Sequence, residues 1–404
     1  MVYFAGFFLK IAAFFSPKLK LFVEGRKNVF QYLEENVFHK SDLIWIHTAS
    51  LGEFEQGLPI IERLKNDYKN ATILVTFFSP SGYEVKKNSR AADLVTYLPL
   101  DTLKNAKKFI SLINPKLVIF VKYEVWPNYL SVLNKKNIPT LLVSAIFNKK
   151  QLYFKSYGGF MRKSLTAFNH IFVQDVASKK LLNSIHLNNV SISGDTRFDR
   201  VLKIVEQDNQ LDFMEKFKQN QLCFVAGSTW PEDEAILTSY INTTSENIKF
   251  VFAPHTIKKE AIEKLKASVN KNVVLYSEID PKDISQFDVL IIDTIGLLTK
   301  VYSYADIAYV GGGFATGLHN TLEPAVFGIP VLIGPEYKGF KEAEELVAKK
   351  GLISITTLDD FRVQMTQLLN SETYYNGTKN VNSNYIMAHK GATEVIVNYI
   401  KHLI

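Results

Sequence analysis

From residue 43 onward, short apolar runs alternate with stretches of helical period. The runs at 43–46, 72–76, 94–97, 117–121, 140–143 and 170–173 are rich in Leu, Ile and Val, and segments such as 55–68 and 102–112 carry the helical pattern between them. A second series follows at 223–226, 249–252, 272–275, 289–292, 307–310, 330–333 and 351–354. Strands that are apolar throughout and separated by helices predict parallel sheets covered on both faces, because a sheet with one wet face alternates apolar with polar positions. Between the two series, 203–221 is charged and polar without a strand pattern, and reads as an interdomain hinge. The economical architecture is α/β, with two Rossmann-like, doubly wound domains over 38–202 and 222–404 that face each other across a cleft. The last helical stretch, 392–404, either ends the second domain or crosses back to brace the first.

Ligands bind such sheets beyond the carboxyl ends of the strands, so the loops there carry the candidate chemistry. After the first run comes His47-Thr48-Ala49-Ser50-Leu51-Gly52-Glu53, a turn of small residues that delivers Glu53 to the mouth of the cleft. After the second comes Ser79, within Phe77-Phe78-Ser79-Pro80-Ser81-Gly82. After the fourth comes Lys122-Tyr123-Glu124-Val125-Trp126-Pro127-Asn128, which sets a second carboxylate beside an indole. The second series contributes Gly227-Ser228-Thr229, Pro254-His255, Asp293-Thr294-Ile295-Gly296 and the segment 309–330, YVGGGFATGLHNTLEPAVFGIP. In that segment Gly311, Gly312 and Gly313 follow a strand and lead to a helix start. Backbone without Cβ atoms permits close approach of a ligand, and free N–H groups at the positive end of a helix favour an anion such as a phosphate. A tight strand-to-helix turn with Asn320 as its cap accounts for the same glycines.

Composition narrows the partners. A chain of 404 residues exceeds the roughly 250–300 at which one hydrophobic core stops growing, which agrees with two domains. Hydrophobic residues at 47% and charged residues at 22% exclude a disordered chain and a multi-span membrane protein. The net charge of +7 favours anionic partners. No dense basic stripe with interleaved aromatics points to nucleic acid. Cys223 is the only cysteine, which excludes an internal disulfide and suits a reducing compartment. The opening MVYFAGFFLKIAAFFSPKLKLF is aromatic and apolar with Lys10, Lys18 and Lys20 among its residues. A helix over 3–15 would present Phe4, Phe7, Phe8, Ile11, Phe14 and Phe15, short of the roughly 20 apolar residues a span needs. Such a surface suits the membrane interface, with packing on the protein's own core as the other reading.

Taken in order, the loops resemble those of the Kdo transferases, which transfer 3-deoxy-D-manno-oct-2-ulosonic acid (Kdo) from its CMP-activated form to lipid A precursors. The match runs from about Trp45 to the C-terminus. The family's Ser-x-Gly-Glu turn stands as Ser50-Leu51-Gly52-Glu53, its Glu-x-Trp-Pro-Asn as Glu124-Val125-Trp126-Pro127-Asn128, and its Gly-Asp/Asn-x-(Lys/Arg)-Phe-Asp as Gly194-Asp195-Thr196-Arg197-Phe198-Asp199. Its Gly-Gly…Gly-x-His-Asn-x-Leu-Glu-Pro-Ala lies within 309–330, and its Gly-x-Pro-Val-x-x-Gly-Pro follows over 328–335. Two motifs depart. Ala253-Pro254-His255-Thr256-Ile257-Lys258-Lys259 stands where the family has Pro-Arg-His-Pro-Glu-Arg, and Asp293-Thr294-Ile295-Gly296-Leu297-Leu298 lacks the glutamate of Asp-Thr-x-Gly-Glu-Leu.

The resemblance implies a GT-B glycosyltransferase, with residues 1–37 as a membrane-associated helix and linker, 38–202 binding the acceptor and 222–404 binding CMP-Kdo. It implies an inverting transfer of Kdo to a lipid IVA-like acceptor, at the cytoplasmic face of the inner membrane of a Gram-negative-type bacterium. Glu53 is the expected general base, since partial burial raises a carboxyl pKa toward a useful value. A residue complementing a helix dipole is its structural reading. Glu124 is expected to position acceptor or sugar, or else to form an ion pair with Lys122 or another basic residue. Ser50, Gly52, Ser79 and Asn128 complete the acceptor or sugar side. On the nucleotide side, Glu323 is expected at the ribose, Asn320 and the amides of Gly312–Gly317 at the phosphate, Ser228 and Thr229 as hydroxyl donors, and His255 at the phosphate or sugar carboxylate. Gly227, Pro254, Gly296, Gly313 and His319 belong to the same set. CMP leaves with one phosphate, which a few donors can stabilise, so neither metal nor cofactor is expected. Arg26, Lys27, Lys149, Lys150, Arg162 and Lys163 either meet lipid phosphates or form a solvated face. The rival functions are another GT-B enzyme using UDP-sugars, transferase or epimerase, and a non-catalytic envelope protein that binds nucleotide or lipid headgroup.

Overall fold

Along each central strand the side chains alternate between two buried cores. In β1 (Leu43–Thr48), Leu43 and Trp45 enter one apolar cluster while Ile44 and Ile46 enter another, and β4 (Leu117–Val121) repeats the division with Val118 and Phe120 against Leu117, Ile119 and Val121. This follows from the period of 2 in a strand, and it explains why the strands read as continuous apolar runs. The computed structural model describes residues 14–37, 42–279, 284–315 and 317–404. It divides into two units, one comprising 1–200 with 389–404 and the other 201–388.

The first unit holds a seven-stranded parallel sheet. Besides β1 and β4 it contains β2 (Thr72–Phe77), β3 (Leu94–Tyr97), β5 (Thr140–Ala145), β6 (His170–Val173) and β7 (Val190–Ile192), in the order β3-β2-β1-β4-β5-β6-β7. β1 lies between β2 and β4, with Ile44 opposite Ile73 on one side and Leu117 on the other. The strand order therefore reverses between β1 and β4, opening a crevice at their carboxyl ends. Trp45 anchors one core, fully buried with Phe109, Phe120 and Tyr129 around it at ring separations of 5.0, 5.4 and 5.7 Å. The helix Leu51–Asp67 and the C-terminal helix Ala392–Lys401 cover the other, the latter through Ile396 and Ile400. β7 was absent from the sequence expectation because it is three residues long and only its first is buried.

The second unit holds β8 (Leu222–Thr229), β9 (Ile248–Pro254), β10 (Val273–Leu275), β11 (Val289–Ile291), β12 (Ile307–Val310), β13 (Val331–Ile333) and β14 (Leu352–Ser354). Their order is β10-β11-β9-β8-β12-β13-β14, all parallel, with the reversal between β8 and β12. The segment 203–221 holds the end of the helix Thr196–Glu206 and the helix Asp212–Lys218, whose Met214 and Phe217 are fully buried.

Most of the aromatic N-terminal helix expected over 3–15 lies outside the described residues. Phe14 and Phe15 are exposed, and the helix Pro17–Glu24 that follows buries none of its residues. No described helix is long and apolar enough to cross a membrane. Arg26 departs from its expected place on a lipid-facing flank. Its guanidinium donates to the carbonyls of Leu98, Phe22 and Phe78 and lies 3.7 Å from the Phe22 ring, and burial lowers its pKa to about 10. Arg162 likewise turns to carbonyls, those of Lys155 and Tyr153.

Candidate functional site

The crevice of the first unit gathers two carboxylates. Ser50 caps the helix Leu51–Asp67, and its hydroxyl accepts from the Glu53 amide at 3.4 Å. The Glu53 side chain reaches back to close the capping box, with Oε2 accepting from the Ala49 and Ser50 amides at 2.5 and 3.2 Å. Both bonds fall on Oε2, and Oε1 has no hydrogen-bond partner among the described residues. Glu53 is only 9% exposed. Burial, and next the charge of Glu124, push its pKa up to about 7 against the opposing pull of the two amides and of Lys122. The capping reading of Glu53 is met by one oxygen, Oε2, while the other is left without a partner among the described residues.

Glu124 makes no ion pair with Lys122. Its Oε2 accepts from Trp126 Nε1 at 2.6 Å and lies 3.1 Å from Nε2 of the buried His47. Nδ1 of His47 lies 2.8 Å from Thr76 Oγ1, which also accepts from Trp45 Nε1 at 2.8 Å. The chain Trp45–Thr76–His47–Glu124–Trp126 ties the carboxylate to the core, and only the start of this network, the loop after β4, was legible beforehand. The residues expected on the acceptor or sugar side divide. Gly52 has open space where a Cβ would stand, and Ser79 bonds its hydroxyl to Ser81 at 2.7 Å and its amide to Ala49 O at 2.7 Å. Asn128 is turned inward: its side chain donates to Asp101 O at 2.8 Å and its amide to Asp101 Oδ2 at 3.3 Å. Asp101, a residue the sequence reading passed over, thereby caps the helix Pro127–Lys135, whose own N-cap is the non-capping Trp126.

In the second unit Gly311, Gly312 and Gly313 meet the protein's own backbone. A Cβ on Gly311 would lie 2.4 Å from Ser228 O, and one on Gly313 would lie 2.8 Å from Gly334. The expectation that their bareness admits a ligand is corrected: it admits the β8 and β13 ends. The Gly312 and Gly317 amides, expected at a phosphate, donate to Asp233 Oδ2 at 2.8 Å and Gly312 O at 3.1 Å. The Gly313 amide has no partner among the described residues. The helix after the loop, Leu322–Ala325, is one turn long and so carries little dipole. Asn320 and Glu323 bond each other at 3.0 Å, and the Thr229 hydroxyl donates to Glu234 at 2.9 Å. Ser228 sits at φ +55°, where the β8–β9 register shifts, a left-handed backbone rare for a non-glycine residue. Gly227 must be glycine, since a Cβ would lie 2.0 Å from the Tyr302 hydroxyl. Gly296 is at φ +97° with open space around it.

The exposed face of this crevice is built of rings. Trp230 stacks on His255 at 4.7 Å, and His255 lies 4.6 Å from His319. Asp233, fully buried, holds the arrangement from below: it accepts from the Trp230 amide at 2.9 Å, the Gly312 amide at 2.8 Å and the Tyr309 hydroxyl at 2.6 Å. Neither Trp230 nor Asp233 was singled out from sequence, although an acidic residue three positions after a helix start is a capping signal. Among the described residues no group of three or more His, Cys, Asp or Glu side chains is arranged for a metal ion.

Residues 24–200 match the family model of 3-deoxy-D-manno-octulosonic-acid transferase (kdotransferase). The 3-deoxy-D-manno-octulosonic acid transferase of Aquifex aeolicus is 30% identical over 344 residues, covering 83% of this chain and 88% of its own. The chain belongs to the Kdo transferase family. The Haemophilus influenzae member is 28% identical over 385 residues, covering 89% of this chain and 86% of its own. In fold, the chain is similar to the UDP-GlcNAc 2-epimerase from Neisseria meningitidis bound to UDP-GlcNAc, with a TM-score of 0.63 at 16% identity over 90% of this chain and 100% of that one. That likeness is one of fold alone, and it agrees with two parallel-sheet α/β units of GT-B type.

Within this family's motifs, the 194–199 segment is chiefly a fastener. Asp195 accepts from Gln56 Nε2 and Arg197 Nε, each at 2.9 Å, and the charge of Arg197 holds its pKa below the ordinary carboxylate range despite burial. Asp199 receives the amides of Gly391 and Thr393, both at 2.6 Å, at the start of the C-terminal helix. Phe198 stacks on His389 at 4.9 Å.

Proposed function

We propose that this chain is an inverting, metal-independent glycosyltransferase that moves Kdo from CMP-Kdo onto a lipid A precursor of lipid IVA type in lipopolysaccharide core biosynthesis. Family membership supports the donor and the reaction class. The observation that carries the mechanism is Glu53, whose Oε1 is unpartnered among the described residues and whose pKa stands near 7. A base of that pKa takes the proton of an acceptor hydroxyl as the hydroxyl attacks the anomeric carbon of Kdo and the bond to CMP breaks. Glu124, fixed by Trp126 and His47, keeps the proton affinity of Glu53 high and orients acceptor or sugar beside it. The second unit is the nucleotide side, where His255, His319, the Gly313 amide and Ser228 border the β8–β12 reversal, Gly296 belongs to the loop after β11, and Glu323 serves the ribose. Residues 38–202, together with 389–404 of the same unit, take the acceptor and 222–388 the donor, with 203–221 as the hinge. The N-terminal segment, with exposed Phe14 and Phe15 beside Lys18 and Lys20, rests on the cytoplasmic face of the inner membrane.

The test incubates purified chain with CMP-Kdo and a lipid A precursor and weighs the product by mass spectrometry. The expected product gains Kdo, and Glu53→Ala abolishes the gain while CMP still stabilises the protein against heat. Stabilisation by UDP and not CMP would move the reading to a UDP-sugar enzyme. Wild-type protein that binds CMP but transfers nothing would make it a binding protein.

A further inference from the structure

Trp230 and His319 come from different loops, yet the indole Nε1 lies 3.1 Å from His319 Nε2. An indole N–H can only donate, so the nitrogen facing it carries a lone pair and the proton of the neutral imidazole sits on Nδ1. We propose that Trp230 is a positioning residue of the donor site, its indole N–H holding His319 as the Nδ1–H tautomer and so aiming a neutral hydrogen-bond donor at an anionic oxygen of the ligand.

Three features support this role. His319 Nδ1 has no partner among the described residues, which leaves its N–H available. The His319 backbone is fixed independently, its amide donating to Gly311 O at 3.2 Å, so the indole bond settles the ring and not the chain. Trp230 is itself held twice, by Asp233 at its amide and by the face of His255 at its ring, so its N–H direction is set before any ligand arrives. Burial first, and next the neighbouring His255, hold the His319 pKa below the ordinary histidine range, with Asp233 opposing. The neutral ring is therefore the resting form. Protonation at Nε2 would break the indole bond.

The proposal rests on the nucleotide reading of the second unit, and two measurements separate them. Nitrogen-15 spectra of histidine-labelled full-length protein without nucleotide, with His319 assigned through His319→Asn, read the tautomer directly. A pyridine-type Nε2 and pyrrole-type Nδ1 in wild type, becoming mixed in Trp230→Phe, support the proposal; a protonated Nε2 in wild type overturns it, whatever the ligand. Titration with CMP and with cytidine then reads the phosphate. Trp230→Phe, which keeps a stacking ring without the N–H, is expected to weaken CMP about fivefold to tenfold and cytidine less than about twofold. Equal loss for both ligands, or none for CMP, overturns the role at the phosphate. His319→Asn places an amide donor near the Nδ1 position without a tautomer to fix, so adding Trp230→Phe to it should cost CMP little more. An additive loss contradicts the coupling. Wild type that binds neither ligand sinks the nucleotide reading, while the spectra still decide what Trp230 does to His319.

Discussion

The two crevices share one topology and use their acids in opposite ways. At the β1–β4 reversal, Glu53 stands against Glu124, with two amides on one of its oxygens and none on the other. At the β8–β12 reversal, Asp233 is sealed by two amides and a hydroxyl, and the rings of His255 and His319 lie 4.6 Å apart on the same crevice. Burial and the neighbouring charge of Glu124 raise the pKa of the first acid to about 7. Complete satisfaction makes the second a bracket that ties the loop after β12 to the helix start after β8. The same fold thus leaves one carboxylate oxygen open at the first crevice and turns a carboxylate wholly inward at the second.

The largest effect should follow from removing the reactive acid. Glu53→Gln is expected to lower Kdo transfer by about 10²–10⁴-fold, the usual contribution of a general base, with CMP affinity unchanged. In wild type the rate should rise with pH through about 7, as the carboxylate forms, and then level. Glu124→Gln should move that limb to lower pH, since it removes the second-largest cause of the raised pKa. A limb that stays in place would detach Glu53 from the rate.

Removing the sealed acid should act on the fold instead. Asp233→Ala leaves the Gly312 and Trp230 amides and the Tyr309 hydroxyl without their acceptor. At about 1–3 kcal/mol for each buried group left unmet, partly relieved by water, a loss of roughly 3 kcal/mol is expected in denaturant unfolding. A loss below about 1 kcal/mol would reduce Asp233 to an ordinary cap.

Exchanging Glu53 for Gln should also stabilise the protein, and only at higher pH. The folded state raises the Glu53 pKa from 4.5 to about 7, so it binds the proton more tightly than the unfolded chain. The stability this gives is complete below about pH 4.5 and is lost as pH rises through 7. Gln cannot ionise, so the advantage of Glu53→Gln should grow from near zero at pH 4.5 to a plateau of roughly 1–3 kcal/mol above pH 7, read from melting temperatures across that range. A flat difference would mean that Glu53 titrates as an ordinary carboxyl.

Much of this was legible in the sequence because burial on both faces writes itself as unbroken apolar runs. Thirteen of the strands stand where such runs do, and the exception, β7, is short and only partly buried. That Glu53 and Glu124 stand at one crevice was legible because the loops at the carboxyl strand ends of a doubly wound sheet border its topological switch point. The partners of these residues were not, since they are long-range: His47 meets Glu124 across 77 positions, and Asp233 meets Gly312 across 79. The glycines misled for a related reason. A sequence reports where a Cβ is forbidden, and only the fold reports whether a ligand or a neighbouring strand forbids it.

The smallest effect concerns how the first unit is closed. Asp199, at the end of one of the motifs that carry the family resemblance, accepts the amides of Gly391 and Thr393 and so caps the C-terminal helix Ala392–Lys401 from a distant point in the chain. Gly391, the N-cap residue, has no side chain to do this. The helix in turn buries Ile396 and Ile400 beside Ile44 and Ile46 of β1, the strand that leads to Glu53. Asp199→Ala should lower stability by about 1 kcal/mol, the usual worth of a lost cap, and Asp199→Asn by less, because its amide oxygen still accepts. The apolar face holds the helix in place, so transfer at 25 °C should change less than twofold by the estimate that about 1 kcal/mol leaves nearly all molecules folded. Transfer that falls in step with Glu53→Gln would instead put Asp199 in the chemistry, and the division between reactive and sealed acids would have to be redrawn.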